Sequence, residues 1–311
     1  MKRKIEVSEL IFKIIAYVFL IIFAVLCVYP LVFALSSMFS GFNEVGNNEV
    51  ILWPTGDLQI EAAKYVLSSS NFWVSYSNTL FVTFIGTIWC LIYSILGAYA
   101  LSKKRLLGRH GFNFFLVFTM WFSAGVVPQF LNYQQTGRIM ATIFAGSTNM
   151  GDIDLKWLIV LAMGMNATNI VLLRNSFEGV PSEIEEAARI DGATELQILT
   201  KVYIPMSKAT IATVALFFGI SRWNGYFWAY KVTGAAGQNY SWPVQVYMRD
   251  FIQINTNLTG KWTSEAAQMD LGKGTSIAYA MVVFAMIPIL VIYPFIQKYF
   301  AKGVNMGGVK E

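Results

Sequence analysis

Charge is scarce in this sequence. Only 13% of its 311 residues are Asp, Glu, Lys or Arg, against roughly 25% in a soluble domain. Histidine is limited to His110 and cysteine to Cys27 and Cys90. Two cysteines inside apolar runs make no disulfide framework, and with one histidine they leave little from which to build a zinc site, although carboxylate sites stay open. No Gly-x4-Gly-Lys-Ser/Thr phosphate loop occurs. Gly272-Lys273-Gly274 comes nearest, but the first glycine would have to stand at Ala267. This chain therefore carries no nucleotide site of that type.

What it has instead is apolar residues, 56% of the total, and a mean hydropathy of +0.52. A hydrocarbon layer about 30 Å thick needs roughly 20 apolar helical residues to cross it. Six stretches qualify: Ile14–Met38, Phe72–Ser102, Gly111–Tyr133, Trp157–Leu173, Ala209–Tyr230 with Arg222 inside it, and Thr275–Gln297. The first follows Lys2, Arg3 and Lys4, as a signal peptide would, but it is too long for a signal h-region and reads as an uncleaved anchor. The expected fold is thus all-α, a polytopic membrane bundle of six transmembrane helices.

Six spans put both termini on one side. That side carries fifteen of the 23 Lys and Arg residues, among them Lys103, Lys104, Arg105, Arg109, Arg174, Lys201 and Lys302, while acids divide evenly. The positive-inside rule makes it the cytoplasm. The net charge of +5 is then explained by topology rather than by nucleic-acid binding. Residues 1–13 form a cytoplasmic start, 14–38 an anchor, 72–300 a core of five spans, and 301–311 a cytoplasmic tail.

Between the fourth and fifth spans lies a polar stretch, 180–205, that does not cross the membrane. Ser182 followed by Glu185 predicts a capping box. Glu183, Glu185 and Glu186 crowd a first turn, where the helix dipole favours acids. Gly192 is placed to end or bend that helix. A second helical run starts at Ala193, and Pro205 closes the segment. Small Ala187 and Ala188, with apolar Ile184, Ile190, Leu196 and Leu199, suit close approach by another surface.

Glu186-Ala187-Ala188, three residues, Gly192, nine residues, then Val202-Tyr203-Ile204-Pro205 resembles the EAA loop of ABC importer permeases. Leu96–Arg105 with Gly108-Arg109, the pair Trp223-Asn224 and the tail Lys302–Lys310 resemble carbohydrate-type permeases, in particular the maltose-type second permease subunit. The resemblance implies a coupling helix, Glu186 to Gly192, seated in a cleft of a separate ATPase. Glu185, Glu186, Ala187, Ala188, Asp191, Gly192, Ala193 and Pro205 would form the coupling element. It also implies two ATP-binding subunits that hold ATP and Mg, a second, different permease chain, and an extracytoplasmic substrate-binding protein. The setting would be a bacterial cell membrane. The chain itself would have no catalytic residue and no cofactor.

Polar residues at membrane depth are costly and mark paths or packing. Asn78, Gln129, Asn166, Asn169, Arg222, Trp223, Asn224 and Tyr226 are the candidates for a carbohydrate path, with Trp228 beside them. Interhelical packing and an interfacial aromatic belt are competing roles. The outer loop 231–273 carries Tyr240, Trp242, Tyr247, Arg249, Asn255, Asn257 and Trp262, and by resemblance contacts the binding protein. A non-sugar solute such as a peptide or amino acid would use the same coupling logic. An intramembrane enzyme is disfavoured because acids are nearly absent at depth and no Ser–His or Cys–His arrangement is visible.

Overall fold

The computed structural model describes residues 7–162, 164–236, 240–255 and 271–308, and every regular element among them is helical. The expectations for residues 1–6, for Asn257 and Trp262, and for residues 309–311 lie outside the described residues. The chain divides into two compact units, Met1–Phe72 with Met248–Pro288, and Trp73–Tyr247 with Ile289–Glu311.

In the first unit, α1 (Val7–Phe39) is followed by α2 (Phe42–Gly46) and α3 (Glu61–Ser68). Apolar side chains from Leu10 to Val28 lie exposed along α1. A helix can present such a face to lipid because all its backbone polar groups are satisfied internally. Its C-terminal end is tied down by polar side chains. Ser36 Oγ donates to Leu52 O at 2.6 Å, Thr55 N donates to Ser40 Oγ at 3.0 Å, and Gln59 Nε2 bridges the carbonyls of Met38 and Ser40 at 3.0 and 3.1 Å. Phe33 meets Tyr279 edge-on at 5.3 Å.

The second unit is built around α4 (Ser70–Ser102), from residue 73 onward. There follow α5 (Arg109–Trp121), α6 (Val126–Ala145), α7 (Leu155–Ala162), α8 (Ala167–Glu178), α9 (Ser182–Ile190), α10 (Glu195–Ile198), α11 (Ile204–Met206), α12 (Lys208–Trp223) and α13 (Tyr226–Ala236). α14 (Val244–Asn255) and α15 (Leu271–Gly308) complete the chain. Among the described residues three single helices are long and apolar enough to cross a membrane: Ser8–Phe39, Ser70–Ser102 and Gly272–Pro294. Three bent pairs raise the number to six if each pair is one span.

Two of those bends, and a break after Trp223, correct three sequence expectations of continuous spans. The third, Gly111–Tyr133, is broken between α5 and α6, and the chain turns by 116°. Gly125 sits at φ +83, ψ 171, a conformation open essentially to glycine alone. Pro128 then falls in the first turn of α6, where its missing N–H costs nothing. The fourth is bent by 47° between α7 and α8, with Gly164 at φ +124. The fifth ends at Trp223 rather than Tyr230, because Asn224 and Gly225 close α12 and a new helix begins at Tyr226. Backbone groups freed by such breaks need partners inside a bundle, and Arg222 supplies some of them, as described below.

Candidate functional site

The 182–206 segment is two short helices joined by a tight reversal. α9 begins after Pro181, and no side chain caps its N-terminus. The expected Ser182–Glu185 box is therefore not formed. The physical reason is that Glu185 is claimed elsewhere: its carboxylate takes Lys103 Nζ at 2.7 Å, the Tyr203 hydroxyl and the Arg189 guanidinium. A capping box forms one helix later, where Thr194 N donates to Gln197 Oε1 at 2.8 Å and Gln197 N to Thr194 Oγ1 at 3.4 Å.

α9 ends in a Schellman motif. Ala193 N donates to Ala188 O and Gly192 N to Arg189 O, both at 3.0 Å, with Gly192 at φ +80. The motif satisfies two terminal carbonyls and turns the chain at once. A Cβ on Gly192 would meet nothing within 4 Å, so the glycine is there for its backbone conformation alone. After α10 the helix widens into a π turn, Leu199–Tyr203, with Ile204 N donating to Leu199 O. Pro205 follows and has no N–H to give. The chain then bends by 86° into α12.

The two faces of α9 and the turn into α10 differ in chemistry. Inward, Ala188 and Ala193 pack on a buried cluster that includes Tyr99, Ile170, Leu173, Phe177, Ile198 and Phe218. Outward, Glu186, Ala187, Asp191 and Gly192 are exposed, and Ile190 and Leu196 stand 86% and 66% accessible. Exposed aliphatic side chains beside a glycine turn and small residues make a surface another protein can approach closely.

Lys103, just beyond the C-terminus of α4, is only 8% exposed. Besides Glu185, its ammonium lies 4.1 Å from the Tyr99 ring centroid and 3.9 Å from that of Tyr203. A cation between two aromatic faces and a carboxylate is held by attraction from three sides. Burial nevertheless pulls its pKa down, and Glu185 offsets that only in part. Burial also opposes ionisation of Glu185, but hydrogen bonds from Lys103 and Tyr203, with the charges of Lys103 and Arg189, outweigh it and hold its pKa below the usual carboxylate range. The Tyr203 hydroxyl is pushed upward by burial and by its bond to Glu185. A second, exposed layer surrounds this one. Arg105 and Arg189 meet Glu195 at 2.5 and 3.1 Å, and Tyr99 Oη donates to Glu195 at 2.8 Å. Arg109 links Leu101 O, at 2.9 Å, to Glu178 at the end of α8.

The eight carbohydrate-path candidates do not converge. Asn78 donates to Tyr240 O and Trp242 O at 2.6 and 3.2 Å. Asn166 caps α8 by accepting from Thr168 N and Asn169 N, and Asn169 is buried on that helix. Gln129 is half-buried in α6 and Asn224 is exposed at the end of α12. Trp223 packs edge-on against Tyr76 at 6.2 Å, and Tyr226 stacks on Tyr230 at 5.9 Å. Arg222 alone of the eight lines a cavity of about 200 Å³, with Thr79, Tyr133, Trp228 and Gln245 among its neighbours. Tyr133, Thr79 and Gln245 were not singled out by sequence, which carries no local signal for them. Lys103 was legible as part of the Leu96–Arg109 resemblance but not as a partner of Glu185. Among the described residues no group of three or more His, Cys, Asp or Glu could hold a metal ion.

The chain is similar to known proteins along most of its length. The profile of the family described as "binding-protein-dependent transport system inner membrane component" matches residues 94–306, which contain the whole α9 to α12 segment. The chain is 35% identical over 305 residues to the polygalacturonan/rhamnogalacturonan transport system permease protein YtcP of Bacillus subtilis, covering 96% of this chain and 98% of that one. It is 31% identical over 283 residues to protein LplC of the same organism, covering 91% and 89%. Among solved structures it is similar to a chain of a bacterial ABC transporter involved in the import of the acidic polysaccharide alginate, with a TM-score of 0.80, 38% identity, and coverage of 96% of this chain and 100% of that one. A glycine-capped helix pair clamped to the end of a membrane-length helix, in a chain matched along nearly its full length, leaves one assignment: the protein belongs to the family of binding-protein-dependent transport system inner membrane components, the membrane permeases of ABC transporters.

Proposed function

We infer that this chain is one permease subunit of an ATP-driven carbohydrate importer, and that Glu185 to Ala193 are its coupling element. The observation that carries the coupling role is the division of labour on α9. One face is bound to α4 through Lys103, Glu185 and Tyr203, and the other leaves Glu186, Ala187, Ile190 and Gly192 free. A partner gripping the free face would move α4 with it, because the buried ion pair and the packed alanines resist separation. Two such packings, biased by nucleotide in the partner, constitute alternating access.

The partners follow from this role: two ATP-binding subunits carrying ATP and Mg, a second permease chain that differs from this one, and an extracytoplasmic binding protein. The Lys and Arg distribution supports a cytoplasmic position for the coupling segment and both termini, and the bacterial relatives support a bacterial cell membrane as the setting. The carbohydrate assignment is supported by the names of the relatives, a polygalacturonan/rhamnogalacturonan permease and an alginate importer. Asn78, Gln129, Asn166, Asn169, Trp223, Asn224 and Tyr226 shape the helices around the path, and Arg222 faces it.

The test is ATP-dependent uptake of oligosaccharide by cells carrying Glu186→Lys or Gly192→Pro. Both variants are expected to reach the membrane at normal levels and to abolish uptake. Normal uptake by both would refute the coupling role, and a binding protein that takes only peptides or amino acids would refute the carbohydrate assignment.

A further inference from the structure

Arg222 is the only charged residue within the six apolar stretches read from the sequence, and it is 8% exposed. Its guanidinium has five donors. Nη1 donates to Ile159 O at 2.5 Å, and Nη2 to Val160 O and Cys90 Sγ, both at 3.1 Å. These carbonyls belong to the last turn of α7, so one job of Arg222 is to cap a broken helix. That job leaves the charge underpaid. The end of a helix supplies roughly half an elementary charge of opposite sign, and among the described residues no carboxylate stands within ion-pair distance of Arg222. The two carbonyls could be met by the two N–H donors of a neutral glutamine, leaving only the weak contact to the Cys90 thiol, without the cost of burying a cation.

The surroundings make room for that cation. A Cβ on Gly164 would lie 2.2 Å from Arg222 Nη2, and one on Gly86 would lie 3.1 Å from Nε. Arg222 lines the cavity beside Tyr133 and Trp228, whose rings meet edge-on at 5.1 Å. Gln245 joins them, with its amide nitrogen already donated to Trp223 O at 2.5 Å. The cavity thus combines one buried, unpaired guanidinium, two aromatic rings and an amide. Aromatic faces pack on the C–H face of a pyranose ring, and a guanidinium N–H not used by the α7 carbonyls can give a carboxylate a charge-assisted hydrogen bond.

We propose that this cavity is a subsite for an acidic sugar, in which Arg222 receives the carboxylate of a uronic-acid residue while Tyr133 and Trp228 hold its ring. The proposal rests on the carbohydrate-importer reading and narrows it. A neutral sugar entering the same cavity would leave the cation unpaired, so discrimination comes from the penalty on the wrong cargo as much as from the contact with the right one.

The experiment is equilibrium binding to the complete permease–ATPase complex in lipid nanodiscs, without the binding protein, so that only the membrane subunits choose. The probes are a radiolabelled oligogalacturonate and the same oligomer with its carboxyls reduced to alcohols. The wild type is expected to bind the acidic oligomer at least tenfold more tightly than the reduced one. Arg222→Gln should remove that preference by weakening the acidic oligomer and tightening the reduced one, and Arg222→Lys should keep part of it. Equal binding of the two oligomers by the wild type, binding of neither, or an undiminished preference in Arg222→Gln would overturn the proposal. The wild-type comparison decides even if Arg222→Gln fails to assemble. A complete transporter with its binding protein that takes up the reduced oligomer but not the acidic one would leave the carbohydrate reading standing and remove this subsite. Uptake of neither would remove both.

Discussion

Lys103 Nζ lies 2.7 Å from Glu185 Oε2, and both side chains are largely withdrawn from solvent, at 9% and 15% accessibility. The contact joins the end of α4 to α9, 82 residues further along the chain. Removing one member of a buried pair leaves the other charged and unpaired, which costs about 3–5 kcal/mol, whereas replacing both by apolar residues is often neutral. Lys103→Met should therefore lower the thermal midpoint of the purified complex clearly, and Lys103→Met with Glu185→Leu should recover most of the loss. Because the double variant restores packing but not the directional link, uptake is expected to stay low in both. Thermal melts and uptake on the same three proteins check this. Additive losses in the double variant would contradict it.

The same pair sets a pH dependence. Glu185 is held below the usual carboxylate range in the folded protein. A depressed folded pKa means that the stabilisation is present above the unfolded value, about 4.3, and is lost as pH falls through the folded one. Lys103, Arg189 and Tyr203 face the carboxylate, and the two cations keep their charge under acid. The stability gap between wild type and Glu185→Gln should be widest near pH 7 and should close as pH drops below about 4, read by thermal shift at a series of pH values.

Gly192 isolates a backbone effect. Its φ of +80 disfavours any residue with a Cβ, yet nothing would touch that Cβ within 4 Å. Gly192→Ala should cost about 1–2 kcal/mol in the local stability of the α9 terminus, and Gly192→Asn less, since asparagine tolerates the left-handed region. Faster hydrogen exchange at Ala193, whose N–H closes the Schellman motif, is the expected readout, with Asn intermediate between Gly and Ala.

Gly272 isolates the opposite case. A Cβ there would stand 2.0 Å from Phe42 O and 2.8 Å from Phe42 C. Backbone atoms cannot step aside as a flexible side chain can. Gly272→Ala should force α2 and the start of α15 apart within their unit and cost about 1–3 kcal/mol. A midpoint unchanged from wild type would show that the two segments separate freely.

Hydropathy located the three unbroken membrane-length helices within a few residues, because an apolar run bounded by polar residues is a direct physical signature. It missed the breaks at Gly125, Gly164 and Asn224, since composition stays apolar across them and a single glycine does not say which way the chain turns. The α9 turn was legible because Gly192 stands where an acid-rich first turn runs out. Its cap was misread because Ser182 and Glu185 fit the local pattern, while the residue that outbids the cap, Lys103, is far away in sequence. Arg222 was visible as a charge in an apolar stretch. That it completes the end of α7 and faces Tyr133 and Trp228 depends on tertiary contacts that no local pattern encodes.

The coupling role of α9 is most directly tested by cross-linking. With Cys27, which is exposed, changed to Ser, a cysteine placed by Ala187→Cys should form a cross-link to a co-purified ATP-binding subunit, with a yield that changes on adding ATP and Mg. Labelling of that cysteine from outside intact cells by a membrane-impermeant thiol reagent, with no cross-link to any ATP-binding subunit, would contradict the account.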